Sequence, residues 1–302
     1  MSELQYIKHQ DIDFKKWDNT ILKSEIPFVF AQSFYLNATC PNWDALIIGD
    51  YESVFPITQK IKFGFKYLPQ PPFTSQLGAY GKVNLEIEQL FYNYLLNHFR
   101  LIDLELNVTN KIKSEFISSK NTFVINYENG YKFNQNTKRN IAKAKEIGLL
   151  VERVLEKDIL KLSQHYLNPF LQKELNLTKS TIELMDNLIV NSIQARFLHT
   201  FKVVDCNNIV LALVHFICNG NHAFYLKGTN FDKVNNSGSM HLLMNHAIEY
   251  FSDKAIFFDF GGGSNSLGLA NFYKGFGGKI MYYSFLKVNR LPRLIKFLKN
   301  KR

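Results

Sequence analysis

One order of elements runs through the chain twice, and this repeat narrows the available folds more than any single motif does. In the first half the apolar runs Ala45–Ile48 and Val54–Ile57 flank the polar turn Gly49–Ser53; in the second, Phe201–Val204 and Ile209–Phe216 flank Asp205–Asn208. Both patterns read as β-hairpins. Each hairpin is followed by an amphipathic helix. Ile87, Leu90, Phe91, Tyr94 and Leu95 fall at helical spacing in one, and Leu243, Ala247, Ile248 and Phe251 in the other. Each helix leads into a short strand with one aspartate, Asp103 or Asp259. Asp50 and Asp205 are 155 residues apart (205 − 50), and Asp103 and Asp259 are 156 apart (259 − 103). A shared offset across two landmarks predicts two copies of one α/β unit of about 150 residues.

The second half is the more readable. Asn129-Gly130 is a turn signal. Beyond it Asn136 to Gly148 predicts a helix, with Asn136 placed to cap it and Gly148 to end it in a left-handed turn. A strand follows at Leu149–Val154, then helices over Asp158–Leu171 and Thr181–Ala195, the latter opened by a Ser180/Glu183 capping box. The remaining pattern is strand 197–205, strand 208–218, strand 222–229, helix 239–252, strand 255–260, helix 266–275 and strand 279–288. The helical crossover from strand 222–229 to strand 255–260 predicts a parallel pair inside a largely antiparallel sheet. Such a pair can open at the carboxyl ends of its strands and admit a ligand. The expected division is a first domain over 1–128, a second over 129–289 and a basic amphipathic tail over 290–302.

Charge and composition limit the partners. The net charge of +10 favours anionic ones, or else reflects a basic surface with no such partner. Cys40, Cys206 and Cys218 form no CxxC pair, which points away from a disulfide framework and towards a reducing cytoplasm. The opening residues have no apolar core of the secretory kind, and the run Ile209–Cys218 is too short to span a bilayer. Lys287–Arg302 has seven basic residues, no acid, and Leu291, Leu294, Ile295 and Leu298 on one face. That segment reads either as a contact with the inner face of the membrane or as a helix docked on the protein. His241 and His246 lie five apart, wrong for an HExxH zinc site, so no metal is expected; no G-x-S-x-G nucleophile motif occurs either. Seven of the 16 glycines crowd into Phe257–Ile280, but Gly261-Gly262-Gly263 is not a dinucleotide fingerprint.

The element order is similar to the GNAT acyltransferase fold, and its doubling resembles the FemABX family, which carries two GNAT-like domains per chain. Four passages carry the likeness: Asn136 to Gly148, Tyr250 to Gly263, Phe272-Tyr273-Lys274-Gly275-Phe276-Gly277-Gly278, and Tyr67 to Gly78 (YLPQPPFTSQLG). The resemblance implies an α/β fold with mixed sheets and two tandem GNAT-like domains. It also implies transfer of an acyl or aminoacyl group from acyl-CoA or aminoacyl-tRNA to an amine, with a cell-envelope precursor as the family's acceptor and no tightly bound cofactor. Two departures stand out. No long uninterrupted helical arm is patterned. The usual Arg/Gln-x-x-Gly-x-Gly/Ala phosphate loop is here Asn235-Asn236-Ser237-Gly238-Ser239-Met240, which keeps only the central glycine.

Candidate residues follow, each with a plainer alternative. Ser237, Gly238 and Ser239 can present backbone N–H groups to donor phosphates at a helix start. The resemblance implies that Lys274 contacts an anionic group or stabilises developing charge; the alternative is a solvated lysine at a helix carboxyl end. Tyr273 can protonate a leaving group or simply fill core. Asp259 can accept the proton of an attacking amine or cap a turn. Lys138, Arg139 and Lys143 can bind an acceptor's phosphate or carboxylate or form a solvated basic face. Gly261 and Gly262 either line the substrate cleft or let backbone pass a neighbour closely. Two other classes remain open: a non-catalytic binding module with a degenerate GNAT fold, and a basic protein that binds RNA or a membrane surface.

Overall fold

The computed structural model describes residues 3–62, 64–231, 236–262 and 266–292. In chain order the elements are β1 Leu4–Ile7, α1 Phe14–Leu22, α2 Ser33–Thr39, β2 Asp44–Ile48, β3 Ser53–Ile57, β4 Lys60–Lys62, β5 Phe65–Pro69, β6 Tyr80–Gly81, α3 Leu85–His98, β7 Leu101–Glu105 and β8 Ile117–Asn126. They continue as α4 Gln135–Glu146, β9 Leu150–Arg153, α5 Glu156–Leu162, α6 Asn168–Glu174, α7 Lys179–Gln194, β10 Leu198–Val204, β11 Val210–Cys218, β12 His222–Asn230, α8 Ser239–Phe251, β13 Phe257–Asp259, α9 Leu267–Gly275 and β14 Lys279–Asn289.

The chain forms two compact units, one of residues 1–120 with 282–302 and one of residues 121–281. The periodicity placed the division at 128/129 and kept the last strand with the second half. The structure divides the chain eight residues earlier because β8, which the pattern did not contain, runs across position 120 (128 − 120). Likewise β14 runs across position 281, so most of it belongs to the first unit.

In the first unit the strand orders are β1-β2-β3-β6 and β4-β5-β7-β14. The predicted hairpin is present as β2 and β3, with Ile48 opposite Ser53. Helix α3 starts on Asn84, whose side chain accepts from the Ile87 N–H, and joins β5 to β7. Those two strands are parallel, with Tyr67 opposite Leu101 and Pro69 opposite Asp103.

In the second unit the order is β8-β13-β12-β11-β10-β9, and only β12 and β13 pair in parallel. Helix α8 joins them, as the spacing predicts. Its apolar face packs on β11 through Leu243, Ala247, Ile248 and Phe251, all fully buried against Val214, Phe216 and Phe258. Two caps differ from the expected ones. Asn134, rather than Asn136, caps α4 by accepting from the Thr137 N–H. Thr178, rather than Ser180, caps α7 by accepting from the Thr181 N–H. In each case a second capping-type residue lies two positions away, and packing selects between them. The single helix expected over 158–171 is α5 and α6 joined by a π turn at Ser163–Leu167.

Phe251 anchors this core, with its ring 5.6 Å from Phe216 and 6.2 Å from Phe258. Phe251→Ala is expected to lower the unfolding free energy by about 3–5 kcal/mol, measured by urea denaturation followed by circular dichroism.

Candidate functional site

The site begins where the parallel pair ends. His222, Ala223 and Phe224 of β12 pair with Phe257, Phe258 and Asp259 of β13, and the pairing stops there. Beyond it Phe260 donates its N–H to the Phe123 carbonyl, so this side of the gap stays with β8. Strand β12 stays with β11 as far as Asn230. Between Phe216↔Tyr225 and His215↔Lys227 one residue, Leu226, is extra. A bulge of this kind bends and twists its strand, here at the point where the neighbour is lost.

The opening is a cleft of about 630 Å³. Tyr225 and Gly228–Asn230 of β12 form its floor, Asn236 and Gly238–His241 one wall, Gly268, Leu269, Phe272 and Tyr273 of α9 the other, and Phe170, Glu174 and Leu175 at the end of α6 its mouth. Helix α8 enters this wall with no capping side chain, its cap Gly238 being left-handed at φ 81°. The first-turn amides of such a helix carry partial positive charge. Gly238 is required for a further reason: a Cβ there would fall inside contact distance of the Asn140 carbonyl oxygen on α4. The same loop is fixed by Lys143, whose Nζ donates to the Asn236 carbonyl at 2.8 Å. Ser239 Oγ donates to Asn230 Oδ1 at 3.0 Å, tying the helix start to the floor.

The predicted residues fall into three groups. Gly238, Ser239 and Tyr273 line the cleft. Ser237 is buried just behind that wall, where its Oγ accepts from the Ser239 N–H at 3.3 Å. Asp259 and Gly261 lie beneath the cleft. The Asp259 side chain is buried and accepts from Thr122 Oγ1 at 2.7 Å and from the Gly261 N–H at 2.8 Å. Gly261, at φ 76°, brings its backbone so near the Tyr225 carbonyl that a Cβ would collide with it. Gly262 donates to Thr122 Oγ1 at 3.3 Å and has open space around it. Lys138, Arg139 and Lys274 are exposed. Arg139 donates to Asn136 Oδ1 at 2.9 Å, and Lys274 Nζ stands 5.9 Å from the Phe123 ring centroid. The second glycine group closes α9: the Gly277 and Gly278 N–H groups donate to the Lys274 and Tyr273 carbonyls. Asn235 and Gly263 lie outside the described residues, as does the tail beyond Pro292.

Two cleft residues were not singled out by sequence reasoning. His241, read there as core or surface, lines the cleft with its ring 4.9 Å from Phe272 and 5.8 Å from Phe276. Burial lowers its pKa, which favours the neutral imidazole. Tyr225 joins Tyr273 on the opposite side. Burial, then the nearby Asp259, pushes the Tyr273 hydroxyl up to about 12. Burial and then Tyr273 likewise raise Tyr225. The signal for His241 was its place three residues after Gly238, within the first turn of the helix. Among the described residues no His, Cys, Asp and Glu grouping could hold a metal ion.

The first unit treats the same position differently. Past Pro69 the chain folds back on itself: Gln70 Nε2 donates to the Thr74 and Ser75 carbonyls while its Oε1 accepts from the Glu105 N–H. Leu77 then bridges to Leu106 in parallel. The segment QPPFTSQ thus fills the gap beside β7 with the unit's own backbone.

No family model matches the chain, and no curated protein sequence does. Solved structures do. A crystal structure of FemX covers 99% of the chain and all of its own length at 11% identity and a TM-score of 0.66. The C-terminal domain of a putative lysylphosphatidylglycerol synthetase from Agrobacterium fabrum matches over 96% of both chains at 8% identity and a TM-score of 0.60. A tandem GNAT protein from the clavulanic acid biosynthesis pathway covers 96% of this chain and 99% of its own at 9% identity and a TM-score of 0.53. The fold is FemABX-like, built from GNAT-type units. A shared fold does not fix the chemistry, which must be argued from the residues that line the open pair β12–β13 and the start of α8.

Burial holds the Asp259 carboxyl up at about 6, with the Thr122 and Gly261 hydrogen bonds opposing that rise. Its folded pKa lies above the ordinary carboxylate value of about 3.9. The stability it contributes is therefore full below about pH 4 and is lost as the pH rises through about 6, an effect on the order of 3 kcal/mol. Urea unfolding is expected to show this gain on acidification in the parent and not in Asp259→Asn. Gly261→Ala should cost about 1–3 kcal/mol of stability through the left-handed backbone alone.

Proposed function

We propose that the second unit is an N-acyltransferase site, which transfers an acyl or aminoacyl group from acyl-CoA or aminoacyl-tRNA to an amine. The single observation that carries this reading is the cleft itself: an open parallel strand pair faced by the uncapped start of α8, with Tyr273, Tyr225 and His241 around it. The donor's phosphates would lie on the first-turn amides of Met240 and His241, the Ser239 N–H being held by Ser237 Oγ. Lys143 holds that loop in place, and the net charge of +10 attracts a polyanionic donor. Lys138, Arg139 and Lys274 are the exposed cations available for anionic groups of donor or acceptor, a cell-envelope precursor being the acceptor the fold suggests.

The reaction would be direct. A neutral amine attacks the donor carbonyl, a C–N bond forms, and the C–S bond of the thioester (or C–O bond of an aminoacyl ester) breaks. Neutral His241 accepts the proton lost by the amine, and the Tyr273 hydroxyl supplies one to the leaving group. The Asp259 carboxyl is buried, with both of its hydrogen bonds on Oδ1. It positions Gly261 and Thr122 beneath the reacting groups. Holding donor and amine in one cleft supplies much of the acceleration.

Calorimetric titration with free CoA and acetyl-CoA, at low and at physiological salt, tests the reading. Saturable, salt-tolerant binding is expected, and Asn236→Asp, which adds a negative charge at the phosphate wall, should weaken it about tenfold. Binding of aminoacyl-tRNA alone would keep the transferase and change its donor. If neither donor binds, the cleft belongs to a non-catalytic module. With a donor established, Tyr273→Phe and His241→Gln should lower kcat by about 10²–10⁴-fold without loss of donor affinity.

A further inference from the structure

The two ends of the cleft differ in character. At the α8 end it is lined by backbone and small polar groups. Along α6 and α9 its wall is Phe170, Leu175, Leu269 and Phe272, with Met240 of α8 beside them. Leu269 and Leu175 are 43% and 42% exposed, and Leu267, one residue outside the lining, is 77% exposed. Exposed leucines are individually ordinary, but leucines from two helices converging on the rim of one cleft mark a surface that an apolar ligand covers.

Charge within the cleft points the same way. Among its described lining residues there is no Lys or Arg, and Glu174, at the mouth, is the only carboxylate. Asp259 is buried outside that lining, its Oδ1 hydrogen-bonded to Thr122 and Gly261. A carboxylate substituent would lose its hydration there without gaining a described cationic partner, and an ammonium would find a carboxylate only in Glu174, at the mouth and away from Tyr225 and Tyr273. The volume of about 630 Å³ lies well within the range that encloses a drug-sized ligand, far more than an acetyl group needs.

We infer that the group transferred is a neutral aliphatic acyl chain of medium or long length. Its thioester head lies at Tyr225 and Tyr273, and its chain runs out between Met240, Phe272, Leu269 and Leu175. The inference rests on the cleft being the donor site and narrows the donor from acyl and aminoacyl groups to fatty acyl thioesters. The amine would then leave as an N-acyl amide with an aliphatic tail, and the thiol as free CoA.

The test is calorimetry of the full chain with free CoA, acetyl-CoA, octanoyl-CoA and dodecanoyl-CoA, each below its micelle concentration. Each buried methylene is worth about fourfold in affinity, so dodecanoyl-CoA should bind at least about a hundredfold tighter than acetyl-CoA. Leu269→Asp and Leu175→Asp, at exposed positions where folding tolerates a charge, should erase most of that gain and leave free CoA unchanged. If acetyl-CoA binds and the longer thioesters bind no tighter, the aliphatic assignment is overturned while the donor cleft stands. If chain length matters equally in the parent and in both aspartate variants, the chain lies elsewhere and the assignment is also overturned. If no CoA species binds, the reading of the cleft as a CoA donor site fails first, and the fatty acyl donor falls with it.

Discussion

Everything at the site depends on the early end of one strand pairing. Parallel strands β12 and β13 share three residue pairs and then part, β13 remaining with β8 and β12 with β11. A backbone edge left unpaired inside a protein is costly unless something satisfies it. Here the extra residue Leu226 turns the strand, Gly261 makes the last close approach, and the Asp259–Thr122 pair holds the turn beneath. The gap that remains is the cleft of about 630 Å³. Helix α8 cannot close it, because Gly238 fixes its start against the Asn140 carbonyl.

The duplicated unit shows what happens when the same gap is filled. Tyr67 and His222 begin the two parallel pairs 155 residues apart (222 − 67), and their partners Leu101 and Phe257 are 156 apart (257 − 101). In the first unit Gln70 to Gln76 occupies the vacated edge and Leu77 rejoins the sheet at Leu106. In the second unit no described segment does so, and the cleft is open. In one copy of the architecture the edge is taken by its own chain, while in the other a cleft stands beside it.

Much of this was legible in the sequence, for a physical reason: apolar spacing reports which face of an element is buried. It located both hairpins, both crossover helices, α9 and the parallel pair. Gly238 as a helix start and Gly277-Gly278 as a helix stop were also readable, because their backbone conformations favour glycine. What escaped was set by tertiary contact. The bulge at Leu226 leaves no trace in composition. Asp259 reads from the sequence as a candidate base or a turn cap; the hydrogen bond it accepts from Thr122, 137 positions away in the chain, is not readable there. His241 looked like an ordinary core histidine until the cleft formed around it. Lys274 and Arg139 are exposed, and neither lines the cleft.

The most direct measurement of the central claim is hydrogen–deuterium exchange of the full chain with and without a saturating thioester of CoA. The account predicts slowed exchange at Tyr225–Asn230 and across the first turn of α8, with Gln70–Gln76 in the first unit unchanged. Protection confined to another groove, such as the one lined by Arg153, Lys161 and Tyr166, would contradict it.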